Sequence, residues 1–152
     1  MGQIMRPRLP FASFVLAIVV VGALQFAGAQ SFSKKSLRVF LASAKESKPT
    51  TSFSAEVPTI YAFWKGEALE AGDRIRVVWI AEDVGDAAPK HDKILEGNVT
   101  VLKANEDGDF SLSRPGGKAW PLGKYTVEFY INGSLAELMH FTIESGVKIE
   151  TH

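Results

Sequence analysis

The 152-residue chain contains no cysteine. A domain that leaves the reducing cytoplasm has then no disulfide to hold it, and thiolate-built metal centres are excluded. An excess of one charge is also missing: 17 Lys and Arg stand against 17 Asp and Glu, with both signs interspersed. Nucleic-acid binders show a basic excess or stripe, so a polyanionic partner is not expected. Histidine is sparse, and no two of His91, His140 and His152 share a metal-ligand spacing. No internal repeat, heptad or long amphipathic helical pattern occurs, which leaves strands to build the core.

What is present begins with one long apolar run. Arg6 and Arg8 precede Phe11 to Leu24, and Ala27-Gly28-Ala29 offers small residues where a signal peptidase reads. Residues 1–29 thus read as a secretory signal, with cleavage leaving Gln30 first. Extended to Ala29, the run is just long enough to cross a bilayer, so an uncleaved N-terminal anchor is the alternative. No cysteine follows the run, which excludes a lipidated N-terminal cysteine. Removing 29 of 152 residues leaves 123, enough for one domain with its own core. The expected organisation is a polar lead over 30–35, one domain over 36–146 and a tail over 147–152.

Period-two patterning marks the strands. Leu37 to Leu41 is a short apolar run, and 45–52 (KESKPTTS) is a loop by composition. Thr59 to Trp64 is β-branched and aromatic between Pro58 and Lys65-Gly66. In Arg74 to Ala81, Ile75, Val77 and Trp79 share a face opposite Arg74 and Arg76. Residues 82–92 read as a surface loop, and Ile94 to Lys103 as a strand that Gly97 interrupts at a bulge. Asn105 to Gly108 signals a turn, after which Phe110 and Leu112 alternate with polar residues.

The stretch 120–143 is the most informative. Tyr125, Val127, Phe129 and Ile131 share one face, and Asn132-Gly133 favours the positive φ of a tight hairpin. A strict two-residue loop would set Glu128 opposite Glu137. A bulge near Ala136 or a longer loop repairs this and brings Met139, Phe141 and Ile143 to the core face. Leu122-Gly123-Lys124-Tyr125-Thr126-Val127 resembles the tyrosine corner of the immunoglobulin-like β-sandwich found in bacterial secreted and cell-surface proteins. Trp79 matches the tryptophan which that fold buries on its third strand. The resemblance spans roughly residues 36–144 and implies a single antiparallel sandwich of about seven strands. In it, Val127 and one of Tyr61, Ala62 or Phe63 take the places of the paired cysteines of antibody domains. It carries no active site with it.

Candidate sites are few. Asn105, Asp107 and Asp109 alternate as calcium ligands do, yet the glycine comes two positions early and Gly116 stands where a bidentate Glu is needed. A plain hairpin turn is the simpler reading, and Glu82, Asp83 and Asp86 would help only if the two loops met. Ser31 and Lys34 form an S-x-x-K pattern without its companion motifs, and Gly116-Gly117-Lys118 lacks the rest of a phosphate loop. Trp120 in the loop SRPGGKAWPLG, with Lys118 beside it, and Trp64 at a strand end could present rings to a sugar or peptide, or fold back as lids on the core. The expectation is an exported, non-catalytic module without cofactor, periplasmic or secreted, binding a protein or carbohydrate of the cell envelope. Contact with the membrane is expected only through an uncleaved signal. A carbohydrate- or peptide-binding module using a loop tryptophan is the alternative, followed by an envelope enzyme with an unrecognised site.

Overall fold

The computed structural model describes residues 33–146. The signal segment over 1–29, the start of the polar lead and the tail over 147–152 lie outside the described residues. Eight strands follow one another: β1 (Ser36–Ala42), β2 (Ser52–Ser54), β3 (Thr59–Glu67), β4 (Arg74–Asp83), β5 (Asp92–Thr100), β6 (Asp107–Ser113), β7 (Gly123–Ile131) and β8 (Ser134–Glu144). They form a three-stranded sheet ordered β1-β3-β6 and a five-stranded sheet ordered β2-β8-β7-β4-β5. Every pairing is antiparallel except that of β2 with β8. This is an immunoglobulin-like β-sandwich. The eighth strand is β2, whose three residues overlap the end of the segment read as loop. Its Ser-Phe-Ser pattern is too short to register as alternation, but Phe53 is buried.

The period-two pattern decides which side chains meet between the sheets. Ile60, Ala62 and Trp64 point inward from β3, and Ile75, Val77, Trp79 and Ala81 from β4. From β7 come Tyr125, Val127, Phe129 and Ile131, and from β8 Phe141 and Ile143. Ala62 is thus the inward residue among the three cysteine-replacement positions. Trp79 stands edge-on to Phe141, with ring centroids 6.0 Å apart, and Phe141 stacks on Tyr125 at 5.2 Å. These three rings, all carried by the five-stranded sheet, belong to the apolar core between the sheets.

The last hairpin resolves its register conflict with a bulge. Asn132 and Gly133 both take positive φ, as a two-residue turn of this type requires. Tyr130 pairs with Leu135 and Phe129 with Glu137, so Ala136 is the extra residue and Glu128 faces Leu138 instead of Glu137. Phe141 and Ile143 are buried as a result, and Met139 packs partly buried against them. Gly97 departs from expectation. It pairs in register with Val77, while the irregularity in β5 falls at Ile94, between Leu95 opposite Trp79 and Lys93 opposite Ile80. A Cβ on Gly97 would meet the Phe110 ring at 3.2 Å and Val77 at 3.3 Å, so the glycine makes room for a ring from the other sheet.

One end of the sandwich is tied by a charged group. Asp73, buried at the start of β4, accepts from Lys35 Nζ at 2.7 Å, from the Glu70 N–H at 2.8 Å and from Asn132 Nδ2 at 2.9 Å. These donors, led by the lysine, hold its carboxyl down at about 2. The lead before β1 and the β7–β8 turn are thereby clamped to the same carboxylate.

Candidate functional site

Both tryptophans proposed as ligand platforms are buried. Trp120 is 4% exposed, its Nε1 donates to the Val57 carbonyl at 2.7 Å, and its own N–H donates to the Ala55 carbonyl at 2.9 Å. The indole is a lid over the sandwich end. Two residues earlier Lys118 is exposed after the tight turn Pro115–Gly117, so lysine and indole do not form a joint surface. Trp64 is equally buried, pressed against Gly108, where a Cβ would come within 2.7 Å of the ring. The indole N–H groups of Trp64 and Trp79 find no acceptor among the described residues, so apolar fit holds them.

The tyrosine corner is fully assembled. Tyr125 Oη donates to the Pro121 carbonyl at 2.5 Å, and burial pushes the phenol up to about 12. Gly123, at φ 145°, lets β7 start against β4, since a Cβ there would lie 2.2 Å from the Asp83 carbonyl oxygen.

The acidic residues do not converge. Asn105 takes positive φ in the β5–β6 turn, and Asp107 and Asp109 are exposed on β6. That turn lies beside Asp73, because Val101 N–H donates to the Asp73 carbonyl. Glu82, Asp83 and Asp86 lie at the other end of β4, nine residues and about 30 Å away. Among the described residues no group of three His, Asp or Glu side chains is placed to hold a metal ion. Glu82 instead pairs with His91, and Asp83 with Lys90 at 3.5 Å.

Two features escaped the sequence reading. On the outer face of the three-stranded sheet, Phe40 stacks on Phe63 at 5.1 Å and Phe63 on Tyr61 at 5.8 Å. Phe40 at one end of this row is 42% exposed. The second feature is a groove. β5 and β6 are edge strands of different sheets on the same side of the sandwich, and no strand among the described residues spans the gap between them. The groove there has a volume of about 460 Å³ and a mostly apolar lining that includes Ala81, Ile94, Leu95, Leu112, Trp120 and Tyr125. Ile94 is 39% and Leu95 47% exposed. Asp92 is the single charged side chain of the lining among the described residues. A second hollow holds Glu82, Lys124 and His140, but Glu82 is engaged by His91 and His140 Nδ1 lies 3.3 Å from Thr126 Oγ1.

No family model matches the chain, and the search of curated proteins found no match. Solved structures do resemble it. One is an immunoglobulin-like protein from Pseudomonas aeruginosa, 12% identical over 74% of this chain and 93% of that one, with a TM-score of 0.44. Another is an alkylpurine DNA glycosylase from Pseudomonas fluorescens bound to DNA containing an abasic-site analogue, 10% identical over 74% of this chain and 31% of that one, at 0.45. A third is a mutant β-glucosidase from Listeria innocua in complex with laminaribiose, 13% identical over 76% of this chain and 17% of that one, at 0.47. The likeness is one of fold. The chain spans less than a third of the glycosylase and about a sixth of the glucosidase, whose chemistries are their own.

Proposed function

We propose that the protein is an exported, non-catalytic assembly module of the cell envelope that engages its partner along the open side of the sandwich, between β5 and β6. The observation that carries this reading is the exposed apolar pair Ile94 and Leu95 at the mouth of a groove flanked by two unpaired strand edges. Partly exposed large aliphatic side chains beside free edges are a cost to a solitary domain, and strand edges with adjacent apolar pockets are a recurrent docking mode. The mostly apolar lining, with Asp92 as its charged side chain among the described residues, suits an apolar contact with a partner. Export is supported by the basic, apolar and small-residue order of residues 1–29.

The test combines location with contact. A photo-crosslinking side chain placed at Leu95, and in a control chain at Phe40 on the opposite sheet, is expressed in the native host. Adducts are expected from Leu95 in the envelope fraction, and the chain recovered there should begin at Gln30 by intact mass. A cytoplasmic location, or equal yields from both positions, overturns the reading.

A further inference from the structure

We infer that the partner on this open side is a second copy of the chain, joined through β5 in an antiparallel, two-fold-symmetric pair. The inference rests on the functional reading above and names the partner of the same site.

β5 is the outer strand of the five-stranded sheet, so one of its edges has no neighbour among the described residues. The irregularity at Ile94 gives it an unusual facing pattern. Asp92, Ile94 and Leu95 all line the groove on the inner side. Lys93 and Glu96 share the outer face, where Lys93 Nζ lies 3.1 Å from Glu96 Oε2. Gly97 faces inward against Val77 and Phe110. From Asp92 to Gly97 the order is therefore in, out, in, in, out, in, and it reads the same in both directions.

Two antiparallel strands extending one sheet are related by a two-fold axis perpendicular to that sheet, which keeps inner faces inner and outer faces outer. With the axis between Ile94 and Leu95, Ile94 of one copy lies opposite Leu95 of the other, Lys93 opposite Glu96, and Asp92 opposite Gly97. Every opposed pair shares a face, the apolar residues meet each other, and the charges are opposite in sign. A shift of one residue either way sets inward against outward side chains. A shift of three sets Lys93 against Lys93 or Glu96 against Glu96. A bulge on an edge strand discourages casual pairing. Here the double inward step is matched by a strand carrying the same step, which points to a second copy of this chain. In the pair, Ile94 and Leu95 of both copies close over one another at the groove mouths.

The experiment is a charge exchange read by sedimentation of the purified chain. The unaltered protein is expected at about twice the monomer mass. Lys93→Glu alone places two acids opposite each other at both ends of the contact and Glu96→Lys alone two lysines, so each variant should run as a monomer. An equimolar mixture of K93E and E96K restores both opposite-charge pairs and should recover the doubled mass. Only an intermolecular contact in this register gives that recovery, since loss of the internal Lys93–Glu96 pair is not repaired by mixing. Because the chain has no cysteine, a second pair reports on register alone: Lys93→Cys mixed with Glu96→Cys should oxidise to a linked dimer, with neither linking to itself to the same extent. If K93E or E96K fails to show native tryptophan fluorescence, the cysteine pair decides. A monomeric unaltered chain, doubled mass retained by both single variants, or no cross-link on mixing overturns the inference. Should it fall while Leu95 still traps another envelope component, the functional reading stands. A dimer formed by a chain that never leaves the cytoplasm has the opposite meaning.

Discussion

Replacing Trp120 by alanine tests the most consequential structural assignment, that the loop indole is a lid and not a platform. The side chain is 4% exposed, forms part of the groove wall and donates to the Val57 carbonyl 63 residues away. Emptying a buried aromatic site costs about 3–5 kcal/mol, part of it apolar transfer and part the cavity left behind. The orphaned carbonyl contributes within that sum about 1–3 kcal/mol if water does not reach it. For a domain of this size about 1 kcal/mol moves the melting temperature by roughly 4 °C or more, so a fall of at least about 12 °C is expected. Urea unfolding followed by far-ultraviolet circular dichroism gives the free energy directly, with an unchanged m-value confirming that the two end states are comparable. Trp120→Phe separates the parts, because it keeps most of the apolar contact and removes the N–H donor. Its loss should fall well below that of alanine. An unchanged midpoint for Trp120→Ala, or quenching of Trp120 fluorescence as easy as that of a free indole, would refute the lid and reopen the platform.

Tyr125→Phe removes the corner hydrogen bond to Pro121 while keeping the ring on Phe141, and should cost about 0.5–1.5 kcal/mol in the same urea assay. The folded chain holds the phenolic proton up to about pH 12 while the unfolded chain releases it near 10, so stability should fall as pH rises between these values, and Tyr125→Phe should lack that fall. At the acid end the sign reverses in origin: Asp73 is ionised down to about pH 2 when folded and to about pH 4 when unfolded. Its stabilisation of about 2 kcal/mol is therefore complete above pH 5 and lost as pH drops toward 2, and Asp73→Asn should flatten that limb of the stability–pH curve.

The parts of the fold that the sequence disclosed are those governed by near neighbours. The β7–β8 hairpin needs a positive φ at two successive residues, and Asn132-Gly133 announces it. The clash of Glu128 with Glu137 called for one extra residue, and Ala136 supplies it. Tyr125 announces its corner because donor and acceptor are four residues apart. Where the outcome hangs on a distant partner, composition was silent. Whether Trp120 turns in or out is decided by the carbonyls of Ala55 and Val57, which come near only once the sheets are stacked. Gly97 looked like a bulge because a glycine in a strand has two common causes, and Phe110 on the other sheet selects the second. The acidic residues at 82–86 and 105–109 looked combinable until β4 set them at its opposite ends.

The groove follows from how the chain closes one side of the sandwich and not the other. After β1 a nine-residue connection lets the chain cross from the small sheet to the large one, where β2 pairs with the last three residues of β8 on that side. On the other side, six residues join β5 to β6, and they are committed locally. Val101 is buried and bonds back to Asp73 and Gly72, Leu102 N–H donates to the Glu106 carboxylate, and Asn105 N–H reaches the Leu69 carbonyl. A connection so short and so tied has no residues left to lay another strand along either edge. Among the described residues both edges stay free, and β5 carries Ile94 and Leu95 partly bare. The apolar mouth is thus a consequence of connection length, and whatever covers it must come from outside the described residues.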